Sequence, residues 1–502
     1  MTSSLKRFID RTTMYRLVLY YLAVLAAAAL VLGFLGVLPY PPVSLGYAIV
    51  VLAAAAWAAN ELLARLFGAP ANYESAVITA LILALILPPP VAFDAGGTAF
   101  LALLALLAMA SKYVFSYGKK HFFNPAAFAV AVSGLALGAG ATWWVGGNLA
   151  LLPLVVSGGL LVVYKLRRFD LVLAFFAAAL ATVAATSLDS VAGIQATVLH
   201  SPLFFLAFAM LTEPLTMPPT RGTRIAYGAL VGALFAPAAH IGAFYFSPET
   251  ALLAGNVFSY AASQKRRSTL ALVERRKLAR GIYEFVFRPD RPLTFSPGQY
   301  LEWTLGKVPF DSRGNRRYFT IASAPGEENV RLGVRFYEKP SAFKRALAAL
   351  PREGTLSVAS LAGDFTLPKD GKRKLAFIAG GIGVTPFASM ARHMILSGET
   401  RDAVLLYSSR TAEEVAYGDI FARAAREGLR TVYAITDGPA MLPGARQGMI
   451  DAAFIGREIP DYRERLFYLS GPPGMVDAMK RALRRLDVPR RSVKTDYFPG
   501  LA

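Results

Sequence analysis

The sequence predicts a multi-domain protein: a polytopic α-helical membrane domain, then an antiparallel β-barrel domain, then an α/β Rossmann-like domain. Three observations lead to this prediction. Long apolar runs with few charges precede Tyr260, short stretches that alternate apolar and polar residues follow Ser268, and strand-like and helix-like segments alternate after Lys374. We place the three domains at residues 1–263, 268–370 and 371–502.

Composition restricts the cofactors and partners. The 502 residues carry a formal charge of +20, and the Lys and Arg residues crowd the ends of the apolar runs, as in loops that face anionic lipid. No pattern of basic and stacking aromatic residues indicates nucleic-acid binding, so membrane lipid is the predicted partner. The chain has no cysteine, which excludes disulfides, thiolate zinc and cysteine-ligated iron-sulfur clusters, and no metal site is predicted.

The apolar half predicts about ten membrane segments, several of them short enough to be broken or half helices. The predicted segments are 17–38, 45–66, 75–88, 97–110, 125–143, 148–164, 170–187, 202–213, 225–246 and 250–263. With this count, every second loop holds the positive charge, at Arg65, Lys112, Lys119, Lys165, Arg221 and Lys265 to Arg267. We therefore expect an integral protein of a bacterial inner membrane, with its amino terminus and its second half in the cytoplasm.

A weak internal echo predicts an inverted repeat within the membrane domain. The stretch ALILALILPP at Ala80 to Pro89 and the stretch MLTEPLTMPP at Met210 to Pro219 share their spacing and lie on predicted helices of opposite direction. Asn124 and Asn256 occupy comparable places in the two halves, and sites in such folds lie where the halves meet. Helix-capping Asn and Pro residues are the alternative explanation.

The stretch Arg316 to Ser323, RRYFTIAS, predicts a short strand that suits a flavin. Arg317 supplies a positive charge for a pyrophosphate, Phe319 a flat ring, and Thr320 a small hydroxyl. Further motifs follow in order: GDF at Gly363, AGGIGVTPF at Ala379, SGPPGM at Ser470, and the aromatic pair Tyr497 and Phe498. In this order the motifs resemble the ferredoxin-NADP reductase superfamily over about the last half of the chain.

That resemblance implies roles for the residues of the barrel domain. Arg317 is expected to bind the FAD pyrophosphate, Phe319 to stack on the flavin ring in place of the usual tyrosine, and Thr320 to reach the flavin N5. The start of a helix is expected to offer backbone N–H groups to the flavin diphosphate, at Ser341, Ala342 and Phe343.

A glycine cluster between a predicted strand and a predicted helix suits a dinucleotide, because the backbone can approach a pyrophosphate there. The cluster consists of Gly380, Gly381, Gly383 and Thr385. The resemblance implies that Ser409 and Arg410 read the adenosine ribose. Arg410 would favour NADPH, whereas resemblance to the reductase subunit of the sodium-pumping NADH:quinone reductase would favour NADH, and both cofactors stay open.

The resemblance also implies a hydride-transfer region. Ser470 stands where many relatives have a cysteine, followed by Gly471 and Pro472, and Phe498 stands where a terminal aromatic ring shields the flavin. The predicted catalytic residues are Thr320, Ser470 and Phe498.

The stretches GKKHFFNPAAFAVAV at Gly118 and AMLTEPLTMPPTRG at Ala209 resemble the B subunit of the sodium-pumping NADH:quinone reductase and the D subunit of the Rnf complex. These subunits have ten helices in two inverted halves and carry flavins, including an FMN attached to a threonine. Thr197 is the matching threonine, although Ile194 and Gln195 replace the usual Ser and Gly, so both attached and unattached FMN stay open. Glu213 is a second cofactor candidate, because a carboxylate at a membrane helix is costly; pairing with Arg221 or Arg224 is the alternative.

The predicted function is that of a membrane-bound flavin oxidoreductase. It takes hydride from cytoplasmic NADH or NADPH onto FAD and passes electrons to a membrane FMN and then to a quinone or an extracytoplasmic acceptor. Two alternatives stay open. One is a haem-type transmembrane reductase using His200 and His240, and the other is a membrane transporter in which the reductase domain only regulates.

Overall fold

The computed structural model describes residues 8–9, 12–67, 71–117, 120–262, 268–306, 316–439 and 441–496. The chain divides into two compact units, residues 1–266 and residues 267–500. Lys119, Lys265 to Arg267, Tyr497 and Phe498 lie outside the described residues.

The first unit is helical. Within the described residues, four helices are long and apolar enough to cross a membrane: Met14–Phe34, Pro42–Leu66, Ala95–Val114 and Phe169–Thr186. A fifth span results if the pair Ser190–His200 and Leu203–Met210, bent by 61°, is counted as one. The other helices are shorter: Tyr73–Ile86, Pro125–Leu137, Leu152–Leu166, Arg221–Phe235 and Pro248–Ala261. The described part thus has four or five candidate spans, and not ten clear ones.

Two predicted segments end earlier than expected, for local reasons. The segment predicted at 225–246 is the helix Arg221–Phe235, which stops at Ala236 because Pro237 follows and disfavours a helical residue before it. A hairpin of His240–Ile241 and Phe244–Tyr245 comes next. The segment predicted at 125–143 ends at Leu137, where Gly138 adopts a left-handed cap with φ 66°.

The stretch around Thr197, for which no span was predicted, forms the helix Ser190–His200. Asp189 begins this helix, and its side chain accepts hydrogen bonds from the amides of Val191 and Ala192. An aspartate at this place satisfies amides that have no partner within the helix. The apolar pattern is interrupted by polar residues here, which is why hydropathy alone did not predict a helix.

Two glycines let one helix lie directly on another. Side-chain carbons at Gly228 and Gly232 would meet the carbonyl oxygens of Leu171 and Phe175 well inside contact distance. The helices Arg221–Phe235 and Phe169–Thr186 therefore pack backbone to backbone. Small residues four apart are the usual means of close packing between apolar helices.

The second unit begins with a six-stranded antiparallel sheet. Its strand order is Arg316–Thr320, Tyr300–Thr304, Thr355–Ala362, Ser268–Ala279, Ile282–Pro289 and Val330–Arg335. A hydrogen bond from the Ala322 amide to the Arg331 carbonyl links the chain after the first of these strands to the last one. Within the described residues no ladder joins the two edge strands, so the expected antiparallel barrel is observed as an antiparallel sheet.

A six-stranded sheet with helices follows, and the ladders between its strands are parallel. The strand order is Arg446–Gln447, Leu429–Ile435, Ala403–Ser409, Leu375–Gly380, Leu466–Ser470 and Val493–Thr495. The helix Thr385–Ser397 follows the central strand, and the helix Pro473–Arg485 follows its neighbour. Because parallel strands end at the same edge, Gly380, Ser409 and Ser470 lie together at one edge of the sheet.

Candidate functional site

The strand Arg316–Thr320 gathers the predicted flavin-binding residues. It pairs with Tyr300–Thr304 so that Arg317 stands opposite Trp303 and Thr320 opposite Tyr300. The Arg317 side chain is buried, its guanidinium donates to the Arg316 carbonyl at 2.6 Å, and its central carbon lies 5.4 Å from the Phe343 ring centre. The rings of Phe319 and Phe343 are 5.9 Å apart. The structure therefore brings a buried cation and two flat rings together.

The predicted helix start lies beside these residues. Ser341 begins the helix Ala342–Ala348, and its hydroxyl accepts a hydrogen bond from the Lys344 amide at 3.3 Å. Ala342, Phe343 and Thr320 are buried. A buried guanidinium, a stacking ring and a buried hydroxyl fit the pyrophosphate, the ring system and the polar edge of FAD.

The glycine cluster after the strand Leu375–Gly380 has two uses. A side chain at Gly383 would lie 2.6 Å from the backbone of Gly471, and one at Gly380 would overlap the sulfur of Met475. These two glycines therefore allow the loops after two neighbouring strands to touch. Gly381 has φ +52°, a left-handed conformation that favours glycine. Thr385 donates its hydroxyl to the Ile382 carbonyl at 2.6 Å, where the helix begins.

A charged pair that the sequence did not reveal borders this loop. Arg335 binds Glu414 at 2.8 Å, and a guanidinium nitrogen of Arg335 is 3.5 Å from the place of a side-chain carbon at Gly381. The two residues are far apart in the sequence, because Arg335 ends the strand Val330–Arg335 and Glu414 ends the short helix Ala412–Glu414, so only the fold brings them together. The Arg335 guanidinium, paired with Glu414, therefore lies next to the predicted pyrophosphate loop.

Ser470 has a partner that the sequence reasoning also missed. Its hydroxyl donates to a carboxylate oxygen of Asp496 at 3.1 Å. The sequence held a sign of this contact, because Asp496 directly precedes the aromatic pair Tyr497 and Phe498. Asp496 follows the strand Val493–Thr495, which pairs with the strand that ends at Ser470. Phe498, the third predicted catalytic residue, lies outside the described residues.

The predicted ribose-binding residues end the strand Ala403–Ser409. The Ser409 hydroxyl is buried and has no hydrogen-bond partner among the described residues, whereas Arg410 is exposed. A buried hydroxyl without a protein partner suits a ligand that carries hydroxyl groups of its own. Gly471 and the exposed Pro472 precede the helix Pro473–Arg485 at the same edge.

The first unit has a polar cluster at Glu213. One carboxylate oxygen of Glu213 is 3.3 Å from the His121 ring nitrogen. The other oxygen accepts a hydrogen bond from the Asn124 side-chain amide at 2.9 Å and one from the Thr216 hydroxyl at 3.3 Å. We call Glu213, His121, Asn124 and Thr216 the Glu213 cluster. Of the two arginines considered as alternative partners of Glu213, Arg224 binds Asp170 at 2.9 Å.

The two asparagines singled out by the internal echo touch each other. The backbone N–H of Asn124 donates to the Asn256 side-chain oxygen at 2.8 Å, and the Asn256 side-chain amide donates to the Tyr227 hydroxyl at 3.0 Å. Both asparagines are buried. A polar network therefore runs from Glu213 through the two asparagines to Tyr227.

A cavity that opens to solvent faces the Glu213 cluster, and its empty space of about 570 Å³ includes part of that solvent. Its wall combines apolar side chains with polar ones; the polar residues are Tyr15, Ser75, Thr79, Asn124, Thr212 and Glu213. The Lys112 ammonium donates to the hydroxyls of Ser75 and Thr79, each at 3.1 Å. Thr197 does not line this cavity, and its buried hydroxyl donates to the Gly193 carbonyl at 2.8 Å.

The histidines of the haem alternative are both exposed. His200 ends a helix, and His240 lies in the hairpin, where its ring is 3.1 Å from the Gly242 carbonyl. Within the part of the chain that the structure describes, no group of three or more His, Asp or Glu side chains could hold a metal ion.

Similarity to known proteins is found in the second unit. The family model of the oxidoreductase NAD-binding domain matches residues 377–481. The chain is 30% identical over 243 residues to the reductase subunit of an aromatic O-demethylase from Amycolatopsis sp., covering 47% of this chain and 70% of that one.

Two further proteins are similar over part of the chain. A flavohemoprotein from Halalkalibacterium halodurans is 29% identical over 217 residues, which is 41% of this chain and 52% of that protein, so the chain spans about half the length of that relative. The crystal structure of the FAD/NAD-binding domain of a nitric oxide dioxygenase from Vibrio cholerae matches 46% of this chain and 98% of that chain, with 20% identity and a TM-score of 0.42.

Proposed function

Because the chain belongs to the ferredoxin-NADP reductase-like family and is an NAD(P)H-dependent flavin oxidoreductase, we propose that it is an integral membrane enzyme that delivers electrons to a carrier in its own helical unit. The observation that carries this proposal is the cavity at the Glu213 cluster. A helical unit with a polar, half-enclosed cavity is joined to a reductase domain in one chain. Covalent linkage keeps the electron donor and the acceptor at high effective concentration.

Residues of the second unit hold the two cofactors of the first step. Arg317 binds the FAD pyrophosphate, Phe319 packs on the flavin ring, and Thr320 reaches its polar edge, within residues 268–370. FAD, when bound, accepts a hydride from the nicotinamide and releases electrons one at a time. Ser470, oriented by its hydrogen bond to Asp496, lines the place for the nicotinamide ring.

The dinucleotide, NADH or NADPH, binds at the edge where the parallel strands end, within residues 371–502. The glycine loop receives the pyrophosphate, with Arg335 beside it to balance the negative charge. Ser409 and Arg410 contact the adenosine ribose, and Phe498 covers the flavin ring until the nicotinamide displaces it.

The membrane carrier is an FMN, with the cavity at Glu213 as its site. Hydroxyl, amide and carboxylate groups on one wall match the polar edge of a flavin ring, and the apolar side chains match its faces. The resemblance to the B and D subunits supports this choice and offers Thr197 as a second place for a flavin. The electrons continue to a quinone or to an extracytoplasmic acceptor.

The positive loops support a topology with the amino terminus and the reductase domain in the cytoplasm, where NAD(P)H is available. The four long apolar helices are compatible with this location.

A cofactor inventory of the detergent-purified full chain tests the proposal. Acid extraction and chromatography are expected to release FAD and FMN in similar amounts, and a Glu213→Gln variant to lose FMN while it keeps FAD. Fluorescence of the denatured protein in a gel, compared with a Thr197→Ala variant, reports covalent attachment. FAD as the sole flavin, together with unchanged quinone reduction in Glu213→Gln, would refute a carrier at this cavity.

A further inference from the structure

Glu284 is a deeply buried carboxylate in the second unit, and it is not one of the residues proposed to bind the flavin or the dinucleotide. It lies on the strand Ile282–Pro289, and its side chain is only 2% exposed. One oxygen accepts a hydrogen bond from Arg331 at 3.1 Å, and the other accepts one from Arg392 at 3.2 Å. Arg331 belongs to the antiparallel sheet, whereas Arg392 belongs to the helix that follows the glycine loop. Glu284 thus joins the two halves of the reductase.

Glu327 completes the group, which we call the Glu284 cluster: Glu284, Glu327, Arg331 and Arg392. Glu327 accepts from Arg331 at 2.8 Å and lies 4.0 Å from Arg392. The two carboxylates balance the two guanidiniums. Taking four charges out of water is costly, and a buried ion pair contributes little net stability compared with an apolar contact. The value of such a cluster lies in the geometry that it imposes.

The cluster lies next to the last residue of the RRYFTIAS stretch. The Ser323 hydroxyl accepts from the Arg331 amide at 3.3 Å, and the Ser323 carbonyl accepts from the Ser389 hydroxyl at 2.7 Å. Ser389 lies on the same helix as Arg392. Contacts from both halves therefore meet three residues after Thr320, directly beyond the predicted flavin-binding strand.

A steric contact supports the ionic one. Tyr417, a non-glycine residue in the left-handed region with φ 62°, lies with its ring 6.0 Å from the Arg392 guanidinium carbon. Its hydroxyl occupies the space that a side chain at Gly333 would need. Gly333 is on the antiparallel sheet and Tyr417 is on the dinucleotide side. The two halves of the reductase therefore touch at a point that has no room for a side chain at residue 333.

We propose that the Glu284 cluster is the positioning element for hydride transfer. It holds the helix Thr385–Ser397, and with it the glycine loop, at a set distance from the flavin-binding strand, so that the nicotinamide and the flavin ring meet at reacting distance. This inference rests on the proposed binding of FAD and nicotinamide to the second unit. A small misplacement of two reacting groups lowers a rate by about a hundred-fold per ångström, which is why a rigid joint is needed here.

The first test uses a Glu284→Gln variant of the full chain. We expect FAD content and the KM for NAD(P)H to stay within about two-fold of the parent, while the rate of flavin bleaching in anaerobic stopped-flow falls at least about ten-fold. Amide hydrogen exchange of the FAD-free protein is a readout that needs no activity, and exchange is expected to rise in both Val330–Arg335 and Thr385–Ser397. Glu353→Gln is the matched control, because Glu353, in the turn before the strand Thr355–Ala362, forms an exposed pair at 2.7 Å with Arg288 of the strand Ile282–Pro289.

The second test covers the case in which Glu284→Gln fails to fold. Gly333→Ala places a methyl group against the Tyr417 hydroxyl and should slow bleaching in the same way, and Gly333→Ala with Tyr417→Phe should restore it by removing that oxygen. Parental bleaching rates in both Glu284→Gln and Gly333→Ala would overturn the positioning role. Hydrogen exchange at the parental level in Glu284→Gln would also overturn the positioning role. This exchange measurement remains decisive even if the parent chain transfers no electrons to the membrane unit.

Discussion

Two carboxylates on the inside of this molecule have opposite surroundings. Glu284, in the reductase unit, lies between the guanidiniums of Arg331 and Arg392 and is 2% exposed. Glu213, in the helical unit, contacts His121 and Asn124, is 19% exposed, and lines an open cavity. A carboxylate matched by fixed positive charges is part of the scaffold, whereas one held by an amide and an imidazole next to a cavity can still contact a ligand.

The same distinction applies to buried cations, and Arg317 gives the largest expected effect. Its contacts include the Arg316 carbonyl and the Phe343 ring, and in the proposed function it binds the FAD pyrophosphate. We expect Arg317→Ala to weaken FAD binding by roughly a hundred-fold, the loss of a charge-assisted contact at a buried site. Calorimetric titration of the FAD-free protein measures this. Arg316→Ala removes the neighbouring, more exposed cation and should retain FAD; equal losses in the two variants would count against the assignment.

The cavity carboxylate gives the next effect. Glu213→Gln keeps the shape but removes the charge that Asn124 and His121 contact. We expect ubiquinone-1 reduction by NAD(P)H to fall at least about ten-fold, because polar groups inside a membrane are retained for function. Reduction of ferricyanide, a water-soluble acceptor of the reductase unit, should be unchanged.

Glu61→Gln is the matched control for that experiment. Glu61 also lies on an apolar helix, but it pairs with Arg65 at 2.8 Å and with the Tyr73 hydroxyl at the surface. Its replacement should leave both acceptors unaffected. If Glu213→Gln retains full quinone reduction, Glu213 belongs to the scaffold like Glu284, and the contrast between the two carboxylates fails.

The reductase fold was predictable because its binding groups come from short segments. A strand followed by a glycine loop and a helix is a local pattern, and Gly380 to Thr385 form it as expected. The sequence did not reveal that Gly380 and Gly383 receive the neighbouring loop, because Met475 and Gly471 reach them only across the parallel sheet. Ladders and loop contacts between distant strands carry no local signal.

The helical unit was less predictable for a similar reason. Hydropathy finds long apolar helices such as Met14–Phe34, but it does not separate a span from a short buried helix such as Tyr73–Ile86. An internal repeat in the sequence drew attention to Asn124 and Asn256, but it did not predict that they touch. For Glu213 the sequence left two alternatives open, a cofactor role and a pair with Arg221 or Arg224. Arg224, one of these two arginines, pairs with Asp170 because the helices Arg221–Phe235 and Phe169–Thr186 pack together.

Gly383 tests whether tight loop packing in the reductase unit is as rigid as its charge cluster. Gly383→Ala would place a carbon 2.6 Å from the Gly471 backbone, which has little room to move. We expect a cost of about 1–3 kcal/mol in stability, typical of overpacking, and a several-fold rise in the KM for NAD(P)H. Thermal unfolding and steady-state kinetics measure the two effects. Gly474→Ala, in the same sheet-and-helix region with open space around it, should change neither, and similar behaviour of the two variants would show that the loops are pliable.

The smallest expected effect on stability comes from Asp461, a carboxylate near the surface that forms an ion pair with the Arg465 guanidinium. Arg465 donates to both its oxygens, at 2.7 and 2.9 Å, and with the ammonium of Lys374 it lowers the pKa of Asp461 from 3.8 to about 2. Because the pKa is lower in the folded state, the ionised carboxylate stabilises the fold above pH 4, and this contribution disappears as the pH falls from about 4 to about 2. Asp461→Asn should therefore cost on the order of 1 kcal/mol at pH 6, after allowance for solvent screening, and the difference from the parent should vanish near pH 2. Thermal unfolding against pH measures it, with Asp487→Asn as the control, since Asp487 lies 3.9 Å from Arg463 at a fully solvated site. If the difference in stability between Asp461→Asn and the parent does not change with pH, Asp461 stabilises the fold through packing and not through its charge.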